Sequence, residues 1–219
     1  MEVRLDLDRV KRKGFSEVIF CERKSDKQLR EIAEEIINKR LDTAFSRMDD
    51  RQHSAVASLI KDFEYDPVSR VGHTLFGTIE KNGAAVAVVS AGSTDIPAAE
   101  EAARIIEFFG SRADRFYDVG VAGIHRLFNV LPEIKKADVV IVAAGMDGAL
   151  PSVVSGLVSS LVIGLPTSVG YGIAENGMTA LRSMLCSCSP GLVAVNIDNG
   201  VGAALSALAA ARIKTGPEA

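Results

Sequence analysis

The sequence predicts a three-layer α/β domain, a doubly wound parallel sheet covered by helices on both faces, preceded by a smaller α+β region. Three observations carry this. The first 79 residues are charged and helix-rich, whereas from Asn82 onward the apolar residues gather into short uncharged runs rich in Val and Ile, with frequent glycine. Five such runs alternate with helical stretches between residues 84 and 212, the pattern of βαβ units. The runs are apolar at nearly every position, as strands buried on both faces must be. The expected division is a region of residues 1–79 and an α/β domain of residues 80–219.

In the first region, SDKQLREIAEEIINKR opens on a cap at Ser25 or Asp26 and sets Leu29, Ile32, Ala33, Ile36 and Ile37 on one helix face. RQHSAVASLIKDF reads as a second helix, EVIF and HTLFGTI as strands, and YDPVSR as a turn. In the second region the strands read as AAVAVVSA, RFYDVG, DVVIVAA, SLVIGLP and LVAVNI. Helices are expected near 97–109, 123–136, 151–159, 174–185 and 200–212.

Composition narrows the function classes. The chain has 219 residues, 47% apolar and 24% charged, enough to bury a full core, and its net charge of -3 argues against nucleic acid or an acidic membrane surface as partner. No apolar run of about 18 residues that could span a bilayer occurs, and MEVRLDLDRVKRKG has no apolar segment of a leader, so a cytoplasmic location is expected. The three cysteines are an odd number, and Cys186 and Cys188 stand too close for an ordinary unstrained bridge. They are either core fillers or chemistry.

Ligands of doubly wound sheets bind at the carboxyl ends of the strands, so function is sought in the loops there. AGSTDIPAAEEAARIIEFF leads from Gly92 through Ser93, Thr94 and Asp95 into a helix; these residues either cap it or use free N–H groups and hydroxyls to hold a phosphate. Asp95 repels phosphate and suits a ribose hydroxyl or a cation. The dinucleotide fingerprint and the Walker loop are both missing, which disfavours an ordinary NAD dehydrogenase. DVGVAGIHRLFNVLP brings Asp118, His125 and Arg126 together. His125 reads either as a hydrogen-bonded structural residue or as part of a site, while Arg126 suits bidentate contact with carboxylate or phosphate. AAGMDGALPSVVSG carries one acid, Asp147, between glycines; PTSVGYGIAENG contributes Ser168 and Tyr171; NIDNGVGAA contributes Asp198.

Taken together, AGSTD, DVGVAGIHR, VVIVAAGMDGALPSVV, PTSVGYG, SCSPG and VNIDNG resemble the LarB family, which is related to the aminoimidazole ribonucleotide carboxylases of purine synthesis. The likeness spans 82–212, with a looser one over 12–70. It implies a flavodoxin-like catalytic domain and the activity of a pyridinium-3,5-biscarboxylic acid mononucleotide synthase. In that reaction the pyridinium ring of nicotinic acid adenine dinucleotide is carboxylated with carbon dioxide or bicarbonate, and its phosphoanhydride is hydrolysed to release AMP, early in the making of the nickel-pincer nucleotide cofactor. The purine relatives carry a catalytic His in an Ala-His-Leu-Pro motif where this chain has Gly148-Ala149-Leu150-Pro151. Purine carboxylase or mutase activity is therefore the runner-up, followed by a non-catalytic nucleotide-binding module. Two departures from the LarB pattern stand out: Gly92-Ser93-Thr94-Asp95 for Gly-Thr-Ser-Asp, and Asp147 for the usual Glu.

The resemblance assigns Cys188 as a covalent nucleophile. An electron-poor pyridinium does not attack carbon dioxide, but thiolate addition turns it into an enamine that does. Asp147 is then the base, and Ser93, Asp95 and Arg126, with His125, hold the nucleotide and its ring carboxylate. Cys186 is expected to be structural, since Asn is common at its position in the family, and Cys21 a core filler. No organic cofactor is expected; Asp95, Asp147 and Asp198 are candidate oxygen ligands for Mg2+. Cys188 precedes the fifth strand whereas the other loops follow theirs; the related carboxylases build each site where subunits meet, commonly in octamers, so the resemblance implies a homo-oligomer, an octamer with active sites between subunits.

Overall fold

The computed structural model describes residues 4–215; the remaining ends of the two expected regions lie outside the described residues. It divides into two compact units, Met1–Glu80 and Lys81–Ala219.

The first unit contains α1 (Arg9–Lys13), β1 (Val18–Phe20), α2 (Asp26–Lys39), β2 (Thr43–Ser46), α3 (Asp50–Ala57), β3 (Glu64–Asp66) and β4 (Val71–Thr74). Its sheet has the order β1-β2-β4-β3, with β1 and β2 parallel and the other pairs antiparallel. The segment β1-α2-β2 is therefore a small βαβ crossover. α2 forms where the periodicity places it: Ser25 and Gln28 close a capping box, and Leu29, Ile32, Ala33 and Ile36 are buried. They pack with Ile19, Cys21, Phe45, Met48 and Val56 into one core. Burial pushes the Cys21 thiol up to about 12, so it is an inert filler, as its sequence setting suggests.

Four elements depart from expectation here. α3 stops at Ala57, the HTLFGTI strand lies earlier at Val71–Thr74, and the polar strands β2 and β3 were not anticipated. β2 is buried at all four positions although two of them carry hydroxyls, so no apolar run announces it.

The second unit contains β5 (Ala85–Ser90), α4 (Ile96–Phe108), β6 (Arg112–Phe116), α5 (Ile124–Ile134), β7 (Val139–Ala144), α6 (Ala149–Ser155), β8 (Leu161–Pro166), α7 (Met178–Leu185), β9 (Leu192–Ala194) and α8 (Gly200–Thr215). All five strands are parallel in the order β6-β5-β7-β8-β9, a flavodoxin-like doubly wound sheet. α4 and α8 pack together on one face, while α5, α6 and α7 bury Leu127, Leu150, Val154, Ala180 and Met184 against the other. Val140, Ile141 and Val142 of β7 are fully buried, each such side chain stabilising the fold by about 1.5–3 kcal/mol.

The strand read as RFYDVG lies three residues earlier, at Arg112–Phe116. β6 is an edge strand with Arg112 exposed and Ala113 buried, so charge masks the apolar signal. The helix expected from residue 174 starts at Met178, because Glu175 and Asn176 are left-handed (φ 51° and 52°). Among the described residues no helix is long and apolar enough to cross a membrane.

Candidate active site

The order reverses between β5 and β7, and at the carboxyl ends of the strands five loops are fastened to one another. Ser90, fully buried at the end of β5, accepts a hydrogen bond from the Asp118 N–H at 3.0 Å. Gly120 passes so close to the Ala91 carbonyl that a Cβ there would lie 2.6 Å from its oxygen. Asp198 accepts from the Ser168 N–H at 2.9 Å, and its own N–H donates to the Pro166 carbonyl.

Asp95 is the strongest fastening. Its sequence setting allows either capping or contact with a ribose hydroxyl or a cation; only 4% exposed, it caps the turn, which corrects the expectation of a substrate contact. Its Oδ2 accepts from the Gly92 N–H at 2.8 Å, its Oδ1 from the Thr167 hydroxyl at 2.5 Å, and the Gly145 N–H donates to it as well. One carboxylate thus joins the loops after β5, β7 and β8. Burial raises its pKa, with the three hydrogen bonds working against that rise and Asp198 adding to it.

The same rim concentrates left-handed backbone. Asp118 (φ 57°), Met146 (φ 28°) and Asp198 (φ 55°) follow three different strands, a conformation that costs a non-glycine residue about 1 kcal/mol or more and gathers at functional sites. The remaining expected site residues divide clearly. Ser93 and Thr94 are exposed on a 3-10 turn, with Gly92 before it; Ser168 is exposed and Tyr171 projects at 79%. Arg126 is paired with Asp118 at 2.5 Å, so its guanidinium already holds a carboxylate where an anionic substrate was expected. His125 lies exposed in the first turn of α5 beside it. Asp147 is exposed, one oxygen accepting from the Ala149 N–H at 3.2 Å. Gly148 then turns the chain into α6 with φ 62°; a Cβ there would lie 2.7 Å from the Ala180 backbone.

Cys188 is exposed on the loop leading into β9, at the amino end of the sheet. Among the described residues no hydrogen bond holds its backbone or thiol. The next residue, Ser189, donates to the Ser152 carbonyl at 2.8 Å, and Ser155 donates to the Pro190 carbonyl at 2.9 Å, so this loop abuts the far half of α6. One subunit therefore does not bring Cys188 and Asp147 together. Cys186, expected to be structural, is also exposed, at the end of α7. Asp95, Asp147 and Asp198 do not converge, and among the described residues no group of three His, Cys, Asp or Glu side chains is placed to hold a metal ion.

Sequence reasoning missed Thr167, whose role becomes visible only with Asp95 beside it. It also missed Glu100, buried on α4, which accepts from Arg115 at 2.9 Å and from the Tyr117 hydroxyl and so anchors the residue before Asp118. Burial acts to raise the Glu100 pKa, but the Arg115 and Tyr117 hydrogen bonds outweigh it and hold the carboxyl below its usual range.

Residues 2–75 match the LarB/PurE-like N-terminal domain, and residues 85–216 match AIR carboxylase. A Methanocaldococcus jannaschii relative named uncharacterized protein MJ0165 is 39% identical over 96% of this chain and 84% of its own. The N5-carboxyaminoimidazole ribonucleotide mutases of M. jannaschii and Pyrococcus horikoshii are 34% and 32% identical, covering 56% and 59% of this chain and 76% and 73% of theirs. The crystal structure of Treponema denticola PurE aligns with a TM-score of 0.44 and 26% identity, over 60% of this chain and 80% of that one. With both domains matched in order and a relative of this identity along nearly its full length, the chain belongs to the LarB family, whose α/β domain is of the AIR carboxylase type.

Proposed function

We propose that this protein carboxylates the pyridinium ring of nicotinic acid adenine dinucleotide and hydrolyses its phosphoanhydride, giving pyridinium-3,5-biscarboxylic acid mononucleotide and AMP for nickel-pincer nucleotide synthesis. The observation that carries the reading is an exposed thiol, Cys188, in an AIR carboxylase-type domain whose third loop offers Asp147 and Gly148-Ala149 where the purine relatives carry an imidazole. The Cys188 thiolate adds to the ring, forming a C–S bond and a neutral dihydropyridine. The enamine carbon attacks carbon dioxide, Asp147 takes the ring proton, and the thiolate leaves with the C–S electron pair as the ring regains its positive charge. Arg126, released from Asp118, holds the ring carboxylate, with His125, Ser93, Thr94, Ser168 and Tyr171 around the nucleotide. Asp95 acts by fixing three of these loops.

Because Cys188 and Asp147 lie at opposite ends of one sheet, the site is completed between subunits of a homo-oligomer, an octamer in this reading. The reaction takes place in the cytoplasm. Mutase activity is the second reading, supported by the 34% identity to a mutase. Mass spectrometry after incubation with nicotinic acid adenine dinucleotide and isotope-labelled bicarbonate separates the two. The expected result is AMP plus a labelled dicarboxylated pyridinium mononucleotide, abolished by Cys188→Ser. Turnover of N5-carboxyaminoimidazole ribonucleotide that survives Cys188→Ser overturns the proposal.

A further inference from the structure

The first unit carries a cleft of about 460 Å³ that runs along the free edge of β1 against α2, within the size range of small-ligand sites. Its charge is unbalanced in a specific way. Both of its carboxylates are committed: Glu22 pairs with Arg47 at 3.1 Å, and Glu17 accepts from the Asp6 N–H at 3.0 Å. Its three cations, Arg4, Arg23 and Lys24, make no ion pair or side-chain hydrogen bond among the described residues. Three positive charges thus face a concavity in which, among the described residues, Glu17 is the one lining carboxylate that no ion pair neutralises, since Glu22 is paired with Arg47.

The position in the fold favours a ligand there. Arg23 and Lys24 follow β1 and Arg47 follows β2, so all three stand at the carboxyl end of the parallel pair in a βαβ crossover, where α/β folds bind their ligands. The backbone is held in costly conformations at this end: Arg23, Arg47 and Arg70 have φ of 68°, 57° and 56°. Arg70 donates to the Met48 and Arg47 carbonyls at 2.7 and 3.0 Å, which pins the loop after β2. Phe20 adds an aromatic surface: the Arg47 guanidinium sits 5.1 Å over its ring, and the residue stays 47% exposed.

We infer that this cleft binds a nucleotide, its phosphate held by Arg4, Arg23 and Lys24 and its base resting on the open side of Phe20. Guanidinium and ammonium groups recognise phosphate oxygens through charge-assisted hydrogen bonds, and an exposed ring supplies a stacking surface indifferent to base identity. The inference goes beyond the carboxylation reading and does not depend on it.

Hydrogen exchange of the full chain, read by mass spectrometry over residues 15–32, tests it with AMP, adenosine and inorganic pyrophosphate as probes. AMP is expected to protect this segment, less so as salt is raised, and adenosine to leave it unchanged. Arg23→Asn, which tolerates the left-handed backbone, combined with Lys24→Gln is expected to weaken AMP binding at this segment by about tenfold or more with the melting temperature unchanged. Protection must persist in Cys188→Ser, which separates this cleft from the catalytic loops. No protection by AMP at about 1 mM, protection by pyrophosphate alone, or protection that survives the double substitution overturns the inference.

Discussion

If the thiolate and the base come from different subunits, two dead variants should revive each other. Along α6, Asp147 precedes the first residue, whereas the Cys188 loop is fastened at Ser152 and Ser155. Ser152 and Ser155 lie three and six residues along α6 from Ala149, about 5 and 9 Å at 1.5 Å each with the Asp147–Gly148 turn still to be added, against the roughly 3–3.5 Å that reacting groups require. Cys188→Ser and Asp147→Asn are each expected to lose AMP release. When the two are unfolded together at equal amounts and reassembled, each site draws its thiol from one chain and its acid from another. Half the chains retain each group, so about one quarter of the sites regain both and activity returns to about one quarter of wild type. The assay is AMP formation by chromatography, with native mass spectrometry confirming mixed oligomers. Activity that stays at the level of the separate variants in verified mixed oligomers refutes the argument, as does a monomeric active protein.

Two further outcomes test the scaffold. Gly148→Ala places a methyl group against the Ala180 backbone at a left-handed position; a loss of about 2 kcal/mol and a melting temperature several degrees lower are expected, and unchanged stability contradicts the packing described. Glu100 has its pKa lowered in the folded state, so its contribution is complete above the unfolded value of about 4.3 and is lost as the pH falls through the lower folded value. Glu100→Gln should therefore destabilise the protein by about 2 kcal/mol at neutral pH and flatten its acid unfolding limb below about pH 4, seen by denaturant titration across pH; an acid limb as steep as wild type argues against the pairing.

The legible parts of the fold were those where burial acts on both faces of a strand. β5, β7 and β8 are buried at nearly every position, so the Val and Ile runs declared them and located the loops that follow. β6 was displaced by three residues because an edge strand exposes one side, and Arg112, Asp114 and Arg115 there read as loop. In the first unit α2 declared itself by period, while β2 buries Thr43 and Ser46, whose hydroxyls suggest a surface. At the site, sequence placed these loops at the carboxyl ends of the strands but did not reveal the direction of each side chain. Asp95 faces inward because Thr167 and the Gly145 N–H meet it, contacts 72 and 50 positions along the chain that no local pattern encodes. The left-handed turns at Asp118, Met146 and Asp198 were equally silent, since none of these positions carries glycine.

That single inward carboxylate has an architectural effect. Three segments that could each sway separately are riveted at Gly92, Gly145 and Thr167, so the rim shifts as one body when a molecule leans on any part of it. The outward residues between the rivets, Ser93, Thr94, Ser168 and Val169, are consequently open to exchange, and a new preference for cargo can evolve there while the frame beneath keeps its shape.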